Sequence, residues 1–177
     1  MTSECFSSMG GECSGVCKYS VMNIGDKVPD LLGKDENGRD VRVSDFAGRK
    51  VVLYFYPKDQ TAGCTAEACS LRDNYGTLSD LGYAVVGVSV DNEASHRRFK
   101  EKNQLPFPLI ADVDKQLVTA FGVWAEKKLY GRTYMGTVRT TYILDEEGRV
   151  CHIFGPKEIK TKVHGEQIVD LSNKQTE

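Results

Sequence analysis

The sequence predicts one α/β domain in which a mixed β-sheet is covered by helices on both faces and entered through an N-terminal β-hairpin. Three observations carry this. The run KVVLYFY at 50–56 is β-branched and aromatic throughout, the pattern of a central strand buried on both faces in a parallel sheet. Strand-like and helix-like segments alternate after it, as they do where crossover helices cover a sheet. With 177 residues, 40% of them hydrophobic and 27% charged, the chain has apolar material for a core of ordinary single-domain size.

In chain order, residues 1–22 are rich in Ser, Gly and Cys without apolar periodicity and read as a poorly ordered extension; the domain is assigned to 23–177. Two short extended pieces flank the turn signal Glu36-Asn37-Gly38, and Ser44 is placed to cap a single helical turn. Strand 50–56 follows, then the loop PKDQTAG, then a helix whose apolar spacing runs through Ala68, Leu71, Tyr75 and Leu78 and stops at Gly82. Next come a strand at 83–90, a helix at 93–102, a short strand at 108–111 and a helix at 115–121. The segment GVW…GRTYMG, with Trp124 and Met135, reads as a wall or loop. Strands at 138–144 and 149–154 flank the turn DEEG, and an amphipathic helix at 165–171 closes the chain.

A net charge of −2 carries no footprint for nucleic acid or an anionic membrane surface, both of which call for clustered Lys and Arg. The longest apolar run is strand length, far short of the ~18–20 residues of a membrane span. A basic region followed by an apolar one, as in a secretory signal, is absent from the N-terminus. A cytoplasmic protein is expected, in which cysteines point to catalysis or metal rather than to a disulfide framework.

Of the six cysteines, Cys5, Cys13 and Cys17 fall in the leader and Cys64, Cys69 and Cys151 in the domain. Pro57, Thr61 and Cys64 have the spacing P-x-x-x-T-x-x-C, on the turn from a buried strand into a helix N-terminus. Free N–H groups and the positive end of the helix dipole favour a thiolate there, and a thiolate is the species that attacks peroxide oxygen.

These residues resemble the peroxiredoxins, and within them the bacterioferritin-comigratory-protein or peroxiredoxin Q type. The stretch YFYPKDQTAGCTAEAC, GVW followed by YG at 122–131, and VRTTYILDEEG around Arg139 are similar to that type in the same order, and the similarity spans about 25 to the C-terminus. The resemblance implies a thioredoxin-like fold and a monomeric thiol peroxidase for hydrogen peroxide and alkyl hydroperoxides. It implies that Cys64 is the peroxidatic nucleophile, that Thr61 bonds the thiolate and peroxide through its hydroxyl, and that Pro57 shields the pocket. Arg139, taken as a residue of a late strand, would hold thiolate and peroxide through its fork of donors. Cys69, on the same helix, would resolve the sulfenic acid of Cys64 to an intramolecular disulfide, with thioredoxin or a similar dithiol protein as reductant. No cofactor or metal is needed, because sulfur carries the redox chemistry.

Plainer readings exist for each residue. A free cysteine commonly just packs, Thr61 can cap a helix and Pro57 can end a strand, but each accounts for one residue where the peroxidase reading accounts for all. Three leader cysteines without a fourth ligand are weak for zinc. His96, His152 and His164 show no spacing of a metal triad or catalytic dyad and read as structural or solvated. Two other functions stay open: a dithiol–disulfide oxidoreductase on the same fold, which calls for C-x-x-C where this chain has C-x-x-x-x-C, and a redox sensor that reacts once instead of turning over.

Overall fold

A computed structural model describes residues 21–176; residues 1–20, with the three leader cysteines and the reading of them as poorly ordered, lie outside the described residues. Val21 and Met22 already touch the domain. Met22 packs on the core, and the Val21 side chain lies so close to Gly122 that a Cβ there would meet it at 2.9 Å.

The expected hairpin is formed by β1 (Leu31–Lys34) and β2 (Asp40–Arg42), paired antiparallel around a turn in which Gly38 has φ +76°. The single helical turn that follows is a 3-10 turn, Val43–Phe46, but Ser44 does not cap it. Arg42 occupies the cap position and its N–H donates to Asp45 Oδ2 at 2.8 Å. Ser44 instead gives both its N–H and its hydroxyl to the Asp30 carboxylate, at 2.9 and 3.2 Å, tying the turn back to the strand entry.

Five strands make the main sheet: β3 (Lys50–Phe55), β4 (Tyr83–Ser89), β5 (Leu109–Ala111), β8 (Thr140–Leu144) and β9 (Val150–Phe154), in the order β5-β4-β3-β8-β9. The central strand β3 runs parallel to β4 and antiparallel to β8, so the sheet is mixed. Its side chains alternate strictly between two cores. Val52 and Tyr54 join Ala68, Leu71, Phe99 and Ile168 on one face, while Val51, Leu53 and Phe55 join Leu117, Phe121 and Tyr142 on the other. That division explains the unbroken apolar run, since every residue of β3 after the first is buried.

The first face is covered by α1 (Ala62–Asp73), α2 (Tyr75–Asp80), α3 (Glu93–Asn103) and α5 (His164–Gln175), the second by α4 (Gln116–Ala120) and the hairpin. The sequence suggested one helix from Cys64 through Leu78, and the structure breaks it at Asn74. The Asn74 side chain donates to the Ser70 carbonyl at 2.9 Å, and Gly165 of α5 packs so tightly there that a Cβ would stand 2.5 Å from that same oxygen. The register of Leu71 and Leu78 survives the break, both fully buried.

The segment read as a wall or loop is not a loop. It forms a separate antiparallel ribbon, β6 (Trp124–Leu129) with β7 (Arg132–Thr137), projecting from the sheet with no strand of the main sheet paired to it.

Candidate active site

The loop from β3 to α1 is fastened from below. Asp59, almost fully buried, accepts hydrogen bonds from Tyr56 Oη at 2.6 Å and Ser95 Oγ at 2.7 Å, and meets His96 Nδ1 at 2.7 Å. Burial works to raise this carboxyl, but the bonds from His96, Tyr56 and Ser95 hold it below the ordinary range. His96 Nε2 faces the Ile110 carbonyl at 3.0 Å, so one side chain ties the loop to both α3 and β5. His96 is thus structural, as the sequence suggested, yet its carboxylate partner lies 37 positions away, where local spacing could not reveal it.

On that loop Thr61 is the N-cap residue of α1, in extended conformation, and Cys64 is the third residue of the helix, only 1% exposed. Arg139 brings the decisive contact, its Nη2 donating to Cys64 Sγ at 3.3 Å while Nη1 pairs with the Glu67 carboxylate. The arginine does not stand on a strand. It occupies the two-residue step between β7 and β8, where the chain leaves the ribbon for the sheet and the side chain can reach across to the helix. Gly63 makes room, since a Cβ there would sit 3.3 Å from Nη2. An always-charged donor fixed against the sulfur stabilises an anion at that atom.

Pro57 and Thr61 line an apolar cleft together with Trp124, Lys127, Tyr134 and Met135, so the ribbon supplies the outer wall. The Thr61 hydroxyl donates to the Lys58 carbonyl at 3.0 Å. It has one proton, so serving sulfur or peroxide as donor requires the hydroxyl to turn. Cys69 is half-buried on α1 with Sγ 3.8 Å from Asn103 Oδ1, and Cys64, Cys69 and Cys151 are all free thiols. Among the described residues, no cluster of three or more His, Cys, Asp or Glu could hold a metal ion, and no helix is long and apolar enough to cross a membrane.

Comparison with known proteins follows the same line. The AhpC/TSA family description matches residues 24–153. Peroxiredoxin Bcp of Bacillus subtilis is 45% identical over 143 residues, covering 81% of this chain and 90% of the relative. Peroxiredoxin Bcp of Escherichia coli K12 is 40% identical over 149 residues, covering 84% and 94%. The chain belongs to the AhpC/TSA family. It is a peroxiredoxin of the Bcp type, and so a thiol peroxidase. Solved structures agree. Peroxiredoxin Q of Xanthomonas campestris superposes with a TM-score of 0.78 at 31% identity over 90% of this chain and 99% of its own. The bacterioferritin comigratory protein of the same organism, whose structures concern alkyl peroxide reduction, gives 0.74 at 30% over 86% and 100%. The thioredoxin-like arrangement expected for the family is the one observed.

Two peroxiredoxin site neighbours escaped the sequence. Glu67 is fully buried three residues after Cys64, on the same face of α1, and its Oε1 has no hydrogen-bond partner, with His164 Nε2 3.9 Å away. His164 is also fully buried, its Nε2 2.8 Å from Thr141 Oγ1 and its Nδ1 3.1 Å from Gln167 Oε1. A carboxylate among Cys64, Ala68 and Leu71 on the buried stripe was the available signal for Glu67; His164 left none, because Thr141 and Glu67 come from elsewhere in the chain.

Burial pushes the Glu67 carboxyl up to about 7 although the Arg139 guanidinium pulls it down, and burial drives His164 down to about 4. The consequences for stability have opposite signs. A carboxyl whose folded pKa is raised lends stability that is complete below its ordinary value of 4.5 and is lost as pH rises through 7. A histidine whose folded pKa is depressed lends stability that is complete above 6.5 and is lost as pH falls towards 4. In their shared window, between the two ordinary values, the slopes oppose each other. Glu67→Gln is therefore expected to leave a protein whose unfolding free energy rises with pH up to 6.5, and His164→Gln one whose free energy falls from 4.5 to 7. Each change amounts to about 3 kcal/mol across its window. Urea titrations at a series of pH values measure it, and identical pH slopes in the parent and both variants would reject the assignment.

Proposed function

We propose that this peroxiredoxin reduces hydrogen peroxide and alkyl hydroperoxides with Cys64 as nucleophile and Cys69 as resolving thiol in the same chain, and that thioredoxin or a similar dithiol protein reduces the resulting disulfide. The carrying observation is the 3.3 Å approach of Arg139 Nη2 to Cys64 Sγ at the start of α1, a fixed donor aimed where the charge of the reaction resides. Pro57 and the aromatic ribbon shelter the sulfur, and Thr61 offers its hydroxyl to peroxide. The apolar lining of the cleft suits an alkyl substituent, in keeping with the alkyl peroxide reduction described for the Xanthomonas campestris relative. A monomeric, cytoplasmic enzyme with residues 23–177 as its catalytic domain completes the reading.

Resolution by Cys69 requires α1 to open. Five residues of helix correspond to ~7.5 Å of rise and place the two Cα atoms roughly 8–9 Å apart, beyond the ~7 Å a disulfide bridges. The second half of the helix is held, because Gly165 N–H donates to Ser70 Oγ at 3.0 Å and Arg72 Nη1 to the Asn103 carbonyl at 2.7 Å. The first half carries small residues between the cysteines, and the Arg139–Glu67 pair is its main polar tie. Opening is thus expected from Ala62 to Cys69, with Ser70 as the hinge.

The test is oxidation with one equivalent of peroxide, then peptide mapping and amide exchange. The expected product joins Cys64 to Cys69, exchanges faster over 62–69 and keeps its protection from 70 onward. A disulfide to Cys151, to a leader cysteine or to a second chain, or an unbroken helix in the oxidised protein, would overturn the scheme. Sustained peroxide consumption coupled to thioredoxin oxidation separates this enzyme from a sensor, which reacts once.

A further inference from the structure

Lys127 has no part in the scheme above, yet it lines the same cleft as Pro57 and Thr61. It is half-buried where its neighbour Lys128 is exposed. In the ribbon it stands opposite Tyr134, and Gly136 lies two residues further along the same partner strand. A Cβ on Gly136 would come within 3.2 Å of both Lys127 Cδ and Tyr134 Cε2. The bare backbone of Gly136 therefore forms the track along which the lysine stem runs. Burial, followed by the Arg139 guanidinium, pushes the pKa of its ammonium below the ordinary value, and Cys64 acts in the opposite sense.

Protonation of the leaving oxygen assists the peroxide step, and no residue so far described has been given that role. When a thiolate takes one peroxide oxygen, the other departs as alkoxide or hydroxide, both strong bases. Arg139 stabilises charge but does not give up a proton in this pH range. The Thr61 hydroxyl, once turned from the Lys58 carbonyl, can bond peroxide but is far too weak an acid to give up its proton at neutral pH. Glu67 is fully buried and held in its pair with the Arg139 guanidinium, and Lys58, the other lysine of the cleft, is solvent-exposed.

We propose that Lys127 is a catalytic residue of the peroxide step, its ammonium giving a proton to the oxygen that leaves as the Cys64 thiolate takes the other. The sulfur–oxygen bond forms with an electron pair from sulfur while the oxygen–oxygen bond breaks. Cys64 is oxidised to the sulfenic acid and the peroxide is reduced. The departing oxygen takes the Nζ proton and leaves as alcohol or water, and the neutral amine is reprotonated from solvent. This rests on the assignment of Cys64 as the peroxidatic thiol.

The test compares Lys127→Met, Lys127→Arg and, as a control, Lys128→Met at the exposed neighbour outside the cleft by the second-order rate of Cys64 oxidation in stopped flow. Three oxidants are used: hydrogen peroxide, tert-butyl hydroperoxide and peracetic acid, the last of which releases acetate and needs no proton. Both Lys127 variants are expected to lose about 100-fold on the first two oxidants and to stay within about threefold of the parent on peracetic acid, as a proton-donating role requires. Lys128→Met is expected to behave as the parent. Parent-like rates with hydrogen peroxide, equal losses on all three oxidants, or rescue by arginine would overturn proton donation by Lys127. If the parent itself forms no sulfenic acid at Cys64 with any oxidant, the peroxidatic assignment falls with it; a reactive parent with unaffected variants removes Lys127 alone.

Discussion

Cys64→Ser is expected to lower peroxide turnover by about 10⁴-fold or more, the scale seen when the nucleophile of a covalent mechanism is removed, while the fold persists. Serine keeps the shape of cysteine with a smaller atom, and the hydroxyl is far too weak an acid to supply a comparable anion at neutral pH. Because Cys64 is buried beneath the guanidinium of Arg139, the replacement oxygen still finds a donor, so no buried polar atom is orphaned and the loss of packing is confined to one atom. Peroxide consumption coupled to thioredoxin oxidation measures the first effect and thermal unfolding the second. Turnover near the parent rate would remove Cys64 from the mechanism.

Arg139→Lys is expected to slow oxidation of Cys64 by about 10²- to 10³-fold, the range for loss of one preorganised donor to a charge-bearing atom. Charge is conserved in this change, and geometry is lost. Arg139 serves two partners at once, Nη2 to the sulfur and Nη1 to Glu67, and a single ammonium on a flexible stem cannot hold both in that arrangement. Because Glu67 is buried with one oxygen already unpartnered, the lysine is expected to settle on the carboxylate and leave the sulfur. Stopped-flow oxidation by hydrogen peroxide is the measurement, and parent-like kinetics would show that charge alone suffices.

The features legible in the sequence are those that neighbouring residues decide between them. The β-branched run at 50–56 became β3 in the centre of the sheet, and Pro57, Thr61 and Cys64 sit on a strand-to-helix turn because eight contiguous residues define it. Burial of a polar group is not of that kind. Glu67 shares the stripe of Cys64, Ala68 and Leu71, but only the closure of α5 and Arg139 over it makes it a buried carboxylate. The ribbon β6–β7 was missed because Glu126, Lys127, Lys128 and Arg132 interrupt the alternation of a half-buried strand, in a pair that packs on no second sheet.

Helix periodicity likewise spoke for one continuous segment past Asn74, where close approach by Gly165, 91 positions on in the sequence, favours the break. The proposed nucleophile, the helix that carries it and the cysteine five residues on are written locally, because backbone preference and apolar period act over a few residues. Distance in the chain separates the rest. Arg139 against the sulfur, Asp59 on His96 and Glu67 beside His164 are settled only when the fold brings them together, since ion pairs and desolvation depend on proximity in space.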